Sequence, residues 1–166
     1  MSARSVAQSR RPPRPQVVLE EFLPYRLNVL ATLVSNALAR IYEERFGLTI
    51  PGWRIIATLG QYEGRTARDI AAHSVMHKST VSRALSALEE RGLVERKPNP
   101  EDMREELLTL TEAGRAVYEA LAPEALAFEE RTLSVLTPAE QRTFFDLVLR
   151  LDAQARRLAG AKVREV

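Results

Sequence analysis

Cysteine is missing from all 166 residues of this chain. Its absence removes disulfides, thiolate metal centres, cysteine nucleophiles and thiol-based redox sensing together. Histidine is almost as scarce: His73 and His77 sit four residues apart, and no third ligand is evident to complete a metal site with them. The 7 glycines are dispersed, so no glycine-rich phosphate loop can be assembled. With no nucleophile, base or metal constellation, enzyme chemistry has no seat in this sequence. No apolar run approaches the roughly 20 residues of a bilayer-spanning helix, and the first residues are polar and arginine-rich, unlike a secretion signal. A cytoplasmic protein with no membrane partner and no cofactor is expected.

What is present is enough for one core of useful size, since 45% of residues are hydrophobic and no internal repeat marks a second unit. A net charge of +2 excludes a general polycationic coat for nucleic acid, so any such affinity has to come from local placement of cations.

The stretch Arg65 to Gly114 reads in order as helix, turn, polar-faced helix and two-stranded ribbon with a charged tip, which is the order of a winged helix-turn-helix. Thr66 followed by Asp69 is a variant capping box that opens the first short helix, with Ile70 and Ala71 as its apolar side. A turn is expected at Ser74 to His77. In the next helix, Lys78 to Arg91, the residues Val81, Ala84, Leu85 and Leu88 recur on one face while Ser79, Ser82, Arg83 and Ser86 fall on the other. Small hydroxyls and one long guanidinium suit an element pressed into a major groove, with Lys78, Ser79, Thr80, Ser82 and Arg83 as the DNA-contacting candidates. Taken alone, such a helix is equally an ordinary amphipathic surface helix; its neighbours shift the balance. Gly92 falls where a left-handed residue would end it.

Leu93 to Lys97 and Glu105 to Leu110 are strand-length runs around a tip containing Pro98, Asn99, Pro100, Asp102 and Arg104. The prolines stay out of a central ladder and stiffen the tip. Arg104 is the candidate for a minor groove, where a guanidinium senses width and negative potential, and Asp102 is expected to hold that guanidinium in place. An exposed ion pair with no further role, worth about 0–1 kcal/mol, is the competing interpretation. Arg65, Arg68, Arg96 and Lys97 add cations around this head, and Arg96 and Lys97 join the list of DNA contacts.

Outside the head, Pro24 fits a first helical turn, and Leu27, Leu30, Leu33, Val34, Ala37, Leu38 and Ile41 follow at helical period to about Phe46. Thr111 opens a further helix, expected to bend at Pro123. Thr137, Pro138 and Glu140 read as cap, first-turn proline and capping-box partner of a last helix bearing Phe144, Leu147, Val148, Leu151, Ala155 and Leu158. These end helices are too apolar for one small lobe, so the expected partner is a second copy about a two-fold axis, with a monomeric bundle as the alternative. The fold class is therefore mainly α with a small β-wing. Its expected divisions are a basic flexible arm (1–16), an N-terminal dimerisation helix (17–50), the winged head (51–114) and C-terminal dimerisation helices (115–166).

The run Asp102-Met103-Arg104, then Leu108, Leu110-Thr111 and Gly114, resembles the wing signature of the MarR family of bacterial transcriptional regulators. Ser79 to Arg83, Leu88-Glu89 and Gly92-Leu93-Val94 precede it in the expected order. The resemblance covers about Leu19 to Leu158 and implies a homodimer on double-stranded DNA, controlled by a small molecule or by oxidation. One departure is His77, where many members place an acidic cap, which puts the start of the recognition helix in doubt. In such proteins the effector pocket lies where the end helices meet the head; here that junction would draw on Arg26, Asn28, Arg40, Trp53, Arg54 and His73. An aromatic residue beside arginines suits a flat acid or a phosphorylated ligand. The run Phe22 to Asn28 resembles a subgroup regulating aromatic-acid catabolism, in which hydroxycinnamoyl thioesters of coenzyme A are effectors. The functional expectation is a repressor released from a pseudo-palindromic operator. A ligand-dependent activator, or a winged protein-interaction module, is the alternative.

Overall fold

The computed structural model describes residues 16–100 and 102–161. All of the expected basic arm except Gln16 therefore lies outside the described residues. Six helices and one hairpin follow in the order α1 (Leu23–Phe46), α2 (Ile50–Gln61), α3 (Ala67–Ser74), α4 (Lys78–Glu90), β1 (Val94–Pro98), β2 (Glu106–Leu110), α5 (Glu112–Leu133) and α6 (Pro138–Ala161). The chain is mainly helical with a small antiparallel sheet, as its sequence leads one to expect.

Two compact units divide at Ala37, within α1. In the first, a turn at Val18 to Phe22 leads into α1, closed by hydrogen bonds from Glu21 N to Val18 O and from Phe22 N to Leu19 O. Pro24 occupies the first turn of α1, where its missing donor costs nothing. Leu23, Leu27, Leu30 and Leu33 remain exposed.

The second unit holds the core. Thr49 caps α2 by accepting from Gly52 N at 3.2 Å, and Ile55, Ile56 and Leu59 at helical spacing are fully buried. Tyr42 of α1, Ile70 of α3, Val81, Leu85 and Leu88 of α4, Leu108 of β2 and Leu121 of α5 complete the same cluster. The Thr66–Asp69 capping box forms in both directions, with Asp69 N to Thr66 Oγ1 at 3.1 Å and Thr66 N to Asp69 Oδ2 at 3.2 Å.

Helix α4 ends in a Schellman arrangement: Gly92 (φ 65°) lets Leu93 N reach Leu88 O while Gly92 N bonds Glu89 O. Leu93 is spent on that cap, so β1 starts one residue later than expected and takes in Pro98 at its far end, opposite Glu106. A terminal position on a two-stranded ribbon needs no donor from proline. A third backbone segment, absent from the sequence reading, pairs with the wing: Arg65 and Leu108 exchange both backbone hydrogen bonds, at 3.2 and 2.9 Å.

Helix α5 is capped by Thr111, which accepts from Gly114 N at 3.0 Å, and continues through Pro123 to Leu133. Helix α6 opens on the expected box, in which the Glu140 carboxylate accepts from both Thr137 N and Thr137 Oγ1 at 2.8 Å. Those bonds hold the Glu140 carboxyl below its usual range. No described helix is long and apolar enough to cross a membrane.

Candidate nucleic-acid interface

Helix α4 is split by its own periodicity. Val81, Leu85 and Leu88 are buried at i, i+4 and i+7, which leaves Lys78, Ser79, Ser82, Arg83 and Ser86 exposed and Thr80 half-buried. The helix begins at Lys78 without a side-chain cap. His77 adopts the extended backbone of a cap residue, and its carbonyl accepts from Thr80 N and Val81 N. The unusual residue at that position therefore costs the helix a side-chain bond but does not displace its start.

Arg83 donates from Nε to the carbonyl of Ser79 at 3.3 Å, which draws its guanidinium back toward the helix N-terminus. Among the described residues neither Lys78 nor Arg83 has an acidic partner. Two cations without carboxylates, on an exposed hydroxyl-rich face, leave that face positive and able to donate hydrogen bonds.

At the wing tip, Asp102 does not hold the guanidinium of Arg104, as its spacing led us to expect. Its Oδ1 accepts from the backbone N–H of Arg104 at 3.0 Å, and its carbonyl accepts from Glu105 N at 2.9 Å. A carboxylate two residues before an N–H in a tight turn finds the backbone first, because no side-chain rotamers need fixing on the donor. Asp102 thus shapes the loop. Among the described residues the Arg104 guanidinium has no ion-pair partner.

Arg65, Arg68, Arg96 and Lys97 are engaged. Arg96 forks onto Glu89, with Nε to Oε1 at 2.5 Å and Nη2 to Oε2 at 3.2 Å, and donates from Nη1 to Glu106 at 3.0 Å. The Glu89 and Glu106 hydrogen bonds raise its pKa further. Lys97 pairs with Glu95 at 2.7 Å, a bond that lowers the Glu95 pKa, and Arg68 pairs with Glu105 at 2.9 Å. Arg65 lies over the ring of Tyr62 at 4.8 Å. Sequence reasoning counted these cations but missed their partners. Glu89 and Glu106 come from separate elements, and only the fold brings them together.

The six residues expected around an effector fall on both units. Arg26 and Asn28 are exposed on α1 within the first, where the Asn28 carbonyl accepts from Thr32 Oγ1. In the second, Arg40 and Arg54 are exposed and Trp53 stacks on buried Tyr42, with centroids 5.7 Å apart at 24°. Burial, then the charge of Glu43, pushes the Tyr42 hydroxyl up to about 12, with Arg54 acting in the opposite direction. His73 instead meets the ring of Tyr62 edge-on at 5.4 Å. A cleft of about 240 Å³ is lined by Leu59, Glu63, Gly64, Lys97, Thr109, Leu110 and Arg115, which include none of the six.

The sequence model of the MarR family matches residues 48–105, from the cap of α2 to the wing. An uncharacterised HTH-type transcriptional regulator of Bacillus cereus is 30% identical over 118 residues, which span 70% of this chain and 78% of that one. A MarR/EmrR family regulator from Acinetobacter sp. ADP1 superposes with a TM-score of 0.79 at 26% identity, covering 85% of this chain and 99% of that one. The PcaV transcriptional regulator of Streptomyces coelicolor, crystallised with its natural ligand, gives 0.68 at 27% identity, covering 86% and 99%. Winged head, the exposed cation- and hydroxyl-bearing face of α4 and relatives agree: the chain belongs to the MarR family of DNA-binding transcriptional regulators and is not an enzyme.

Proposed function

We propose that the protein is a cytoplasmic, ligand-responsive repressor, which as a homodimer occupies a pseudo-palindromic operator and is released by a small aromatic acid or its coenzyme A thioester. The observation that carries the reading is the division of cations in the head. Arg96, Lys97 and Arg68 are tied to carboxylates, while among the described residues Lys78 and Arg83 on α4 and Arg104 on the wing have no acidic partner. Cations held off acids within the protein are the ones free to meet phosphates and base edges. Arg83 then serves the major groove, with Ser79, Thr80 and Ser82 as short donors beside it, and Arg104 the flanking minor groove.

Exposed apolar residues on α1 and α6 support the dimer, because two heads related by a dyad read half-sites about one helical turn apart. The ligand-bound Streptomyces coelicolor regulator supports effector control, and Trp53 stacked on Tyr42 near Arg40 and Arg54 in sequence supports a flat anionic effector. Ligand favours a head spacing that no longer matches successive major grooves; a tenfold loss of operator affinity needs only about 1.4 kcal/mol of coupling. Footprinting of the purified protein on the DNA upstream of its own coding sequence, with and without aromatic acyl thioesters, tests both parts. A dyad-symmetric footprint erased by a thioester is the expected result. No footprint at low salt removes the operator reading, and a footprint indifferent to every aromatic acid and thioester removes the effector.

A further inference from the structure

We propose that Arg96 is a positioning residue, the pin that fixes the angle of the wing against the recognition helix, and that it makes no contact with DNA. The inference rests on the DNA-binding function of the family. Its starting point is a single guanidinium that touches three elements: it belongs to β1, grips Glu89 in the last turn of α4 with two parallel bonds, and reaches Glu106 at the start of β2 with a third. Three of its five N–H donors are thereby used, in the fork geometry that only arginine supplies.

The local charge argues against a DNA contact. Two carboxylates around one guanidinium leave the cluster with an excess negative charge, so a phosphate approaching Arg96 meets repulsion from Glu89 and Glu106. Among the described residues, Lys78, Arg83 and Arg104 carry no such screen.

The mechanical argument points the same way. The ribbon leaves α4 through the Gly92–Leu93 cap and is held at Leu108 by its backbone bridge to Arg65, but beyond that point it is a two-stranded hairpin, which has little rigidity of its own. Behind the tip, among the described residues, the charged ties to the head are Arg96 to α4 and Arg68 of α3 to Glu105. Arg104 lies further out along the same ribbon, so a small change of angle at Arg96 becomes a larger displacement of the tip arginine. Partial exposure of the pair keeps its contribution to overall stability small, and its effect is therefore expected in operator recognition more than in folding.

The decisive variant is Arg96→Lys, which keeps the cation but cannot form the fork. With the full chain, affinities for the footprinted operator and for a scrambled duplex of equal length are measured by fluorescence anisotropy over a range of salt, and thermal midpoints are recorded alongside. The proposal expects Arg96→Lys to lose operator preference by about three- to tenfold, the coupling usual within one ion-pair network, with the salt slope unchanged. The charge swap Glu89→Arg with Arg96→Glu should recover part of that preference. Wild-type affinity in Arg96→Lys, or a salt slope reduced by about one in Arg96→Ala, would make Arg96 a phosphate contact and overturn the proposal. A swap that folds with an unchanged midpoint yet recovers nothing would overturn it as well. Wild-type protein that ignores every duplex would strike at the DNA-binding function, a failure distinct from that of the pin.

Discussion

The carbonyl oxygen of Leu93 occupies the space in which a side chain on Gly114 would begin: an ideal Cβ at Gly114 would lie 1.9 Å from it. Thr111 explains the closeness. Its N–H donates to Leu93 O at 3.1 Å and its hydroxyl to Gly92 O at 2.6 Å, which pulls the start of α5 onto the end of α4. Gly114→Ala should therefore destabilise the fold by at least about 1–3 kcal/mol, because the obstacle is backbone and cannot rotate away. A urea midpoint equal to wild type would refute this.

Much of the fold was legible in the sequence because its signals are local. The Thr66–Asp69 and Thr137–Glu140 boxes, the apolar stripe Val81, Leu85 and Leu88, and the left-handed Gly92 each depend on residues a few positions apart. What escaped reading depends on residues far apart: the Arg65–Leu108 bridge, the Arg96 fork onto Glu89 and Glu106, and the stacking of Trp53 on Tyr42. Asp102 failed for a different reason, since spacing alone cannot tell a carboxylate that binds a guanidinium from one that binds the backbone N–H of the same arginine.

Val75, inside the turn expected from Ser74 to His77, is the one non-glycine residue with positive φ among the described residues, at φ 51° and ψ 42°. It ends α3 with its N–H on Ala71 O, while Met76 N also reaches Ala71 O. A β-branched, exposed side chain gains nothing there and is strained. Val75→Gly should stabilise the protein by about 1 kcal/mol, the relief of strain exceeding the entropy cost of glycine. A lowered thermal midpoint would show that the valine makes a contact worth more than its strain.

The Thr66 hydroxyl, and secondarily its N–H and the charges of Arg68 and Arg65, hold the Asp69 carboxyl below the usual carboxylate range against the opposing effect of burial. A depressed folded-state pKa stabilises the protein above the unfolded value of about 3.9 and is lost as pH falls through the folded value. Asp69→Asn should cost about 0.5–1 kcal/mol at pH 7, the low end of a cap because the group is exposed, and the gap should close in acid. Denaturant titrations of both proteins at pH 7 and near pH 3 test the sign; a gap independent of pH would exclude ionic capping.

Arg83→Ala and Arg104→Ala remove exposed side chains on which no core packing depends, so both variants should keep the wild-type thermal midpoint. Loss of Arg83 should weaken operator binding by about 1–3 kcal/mol and relax preference at one position of each half-site. Loss of Arg104 should weaken binding most where the flank is A·T-rich and its minor groove narrow. Anisotropy titrations on duplexes with altered flanks separate the two; equal loss on all flanks would make Arg104 a phosphate contact.

Helix α6 buries none of its described side chains within the chain, yet Phe144, Leu147, Val148, Leu151 and Leu158 recur along one helical face. So broad an apolar stripe calls for a cover, and the proposed second copy would supply one with the symmetry of the proposed palindromic site. Leu147→Glu with Leu151→Glu places two carboxylates in that stripe without touching the buried core of the head. Light scattering should report a dimer for wild type and a monomer for the variant, whose near-native thermal melt would show the head intact. Operator affinity should then fall by about 100-fold or more, since each head binds its half-site without the effective concentration supplied by its partner. A variant that stays dimeric would place the interface elsewhere, and a monomer that binds the operator as tightly as wild type would mean that one head reads the site alone.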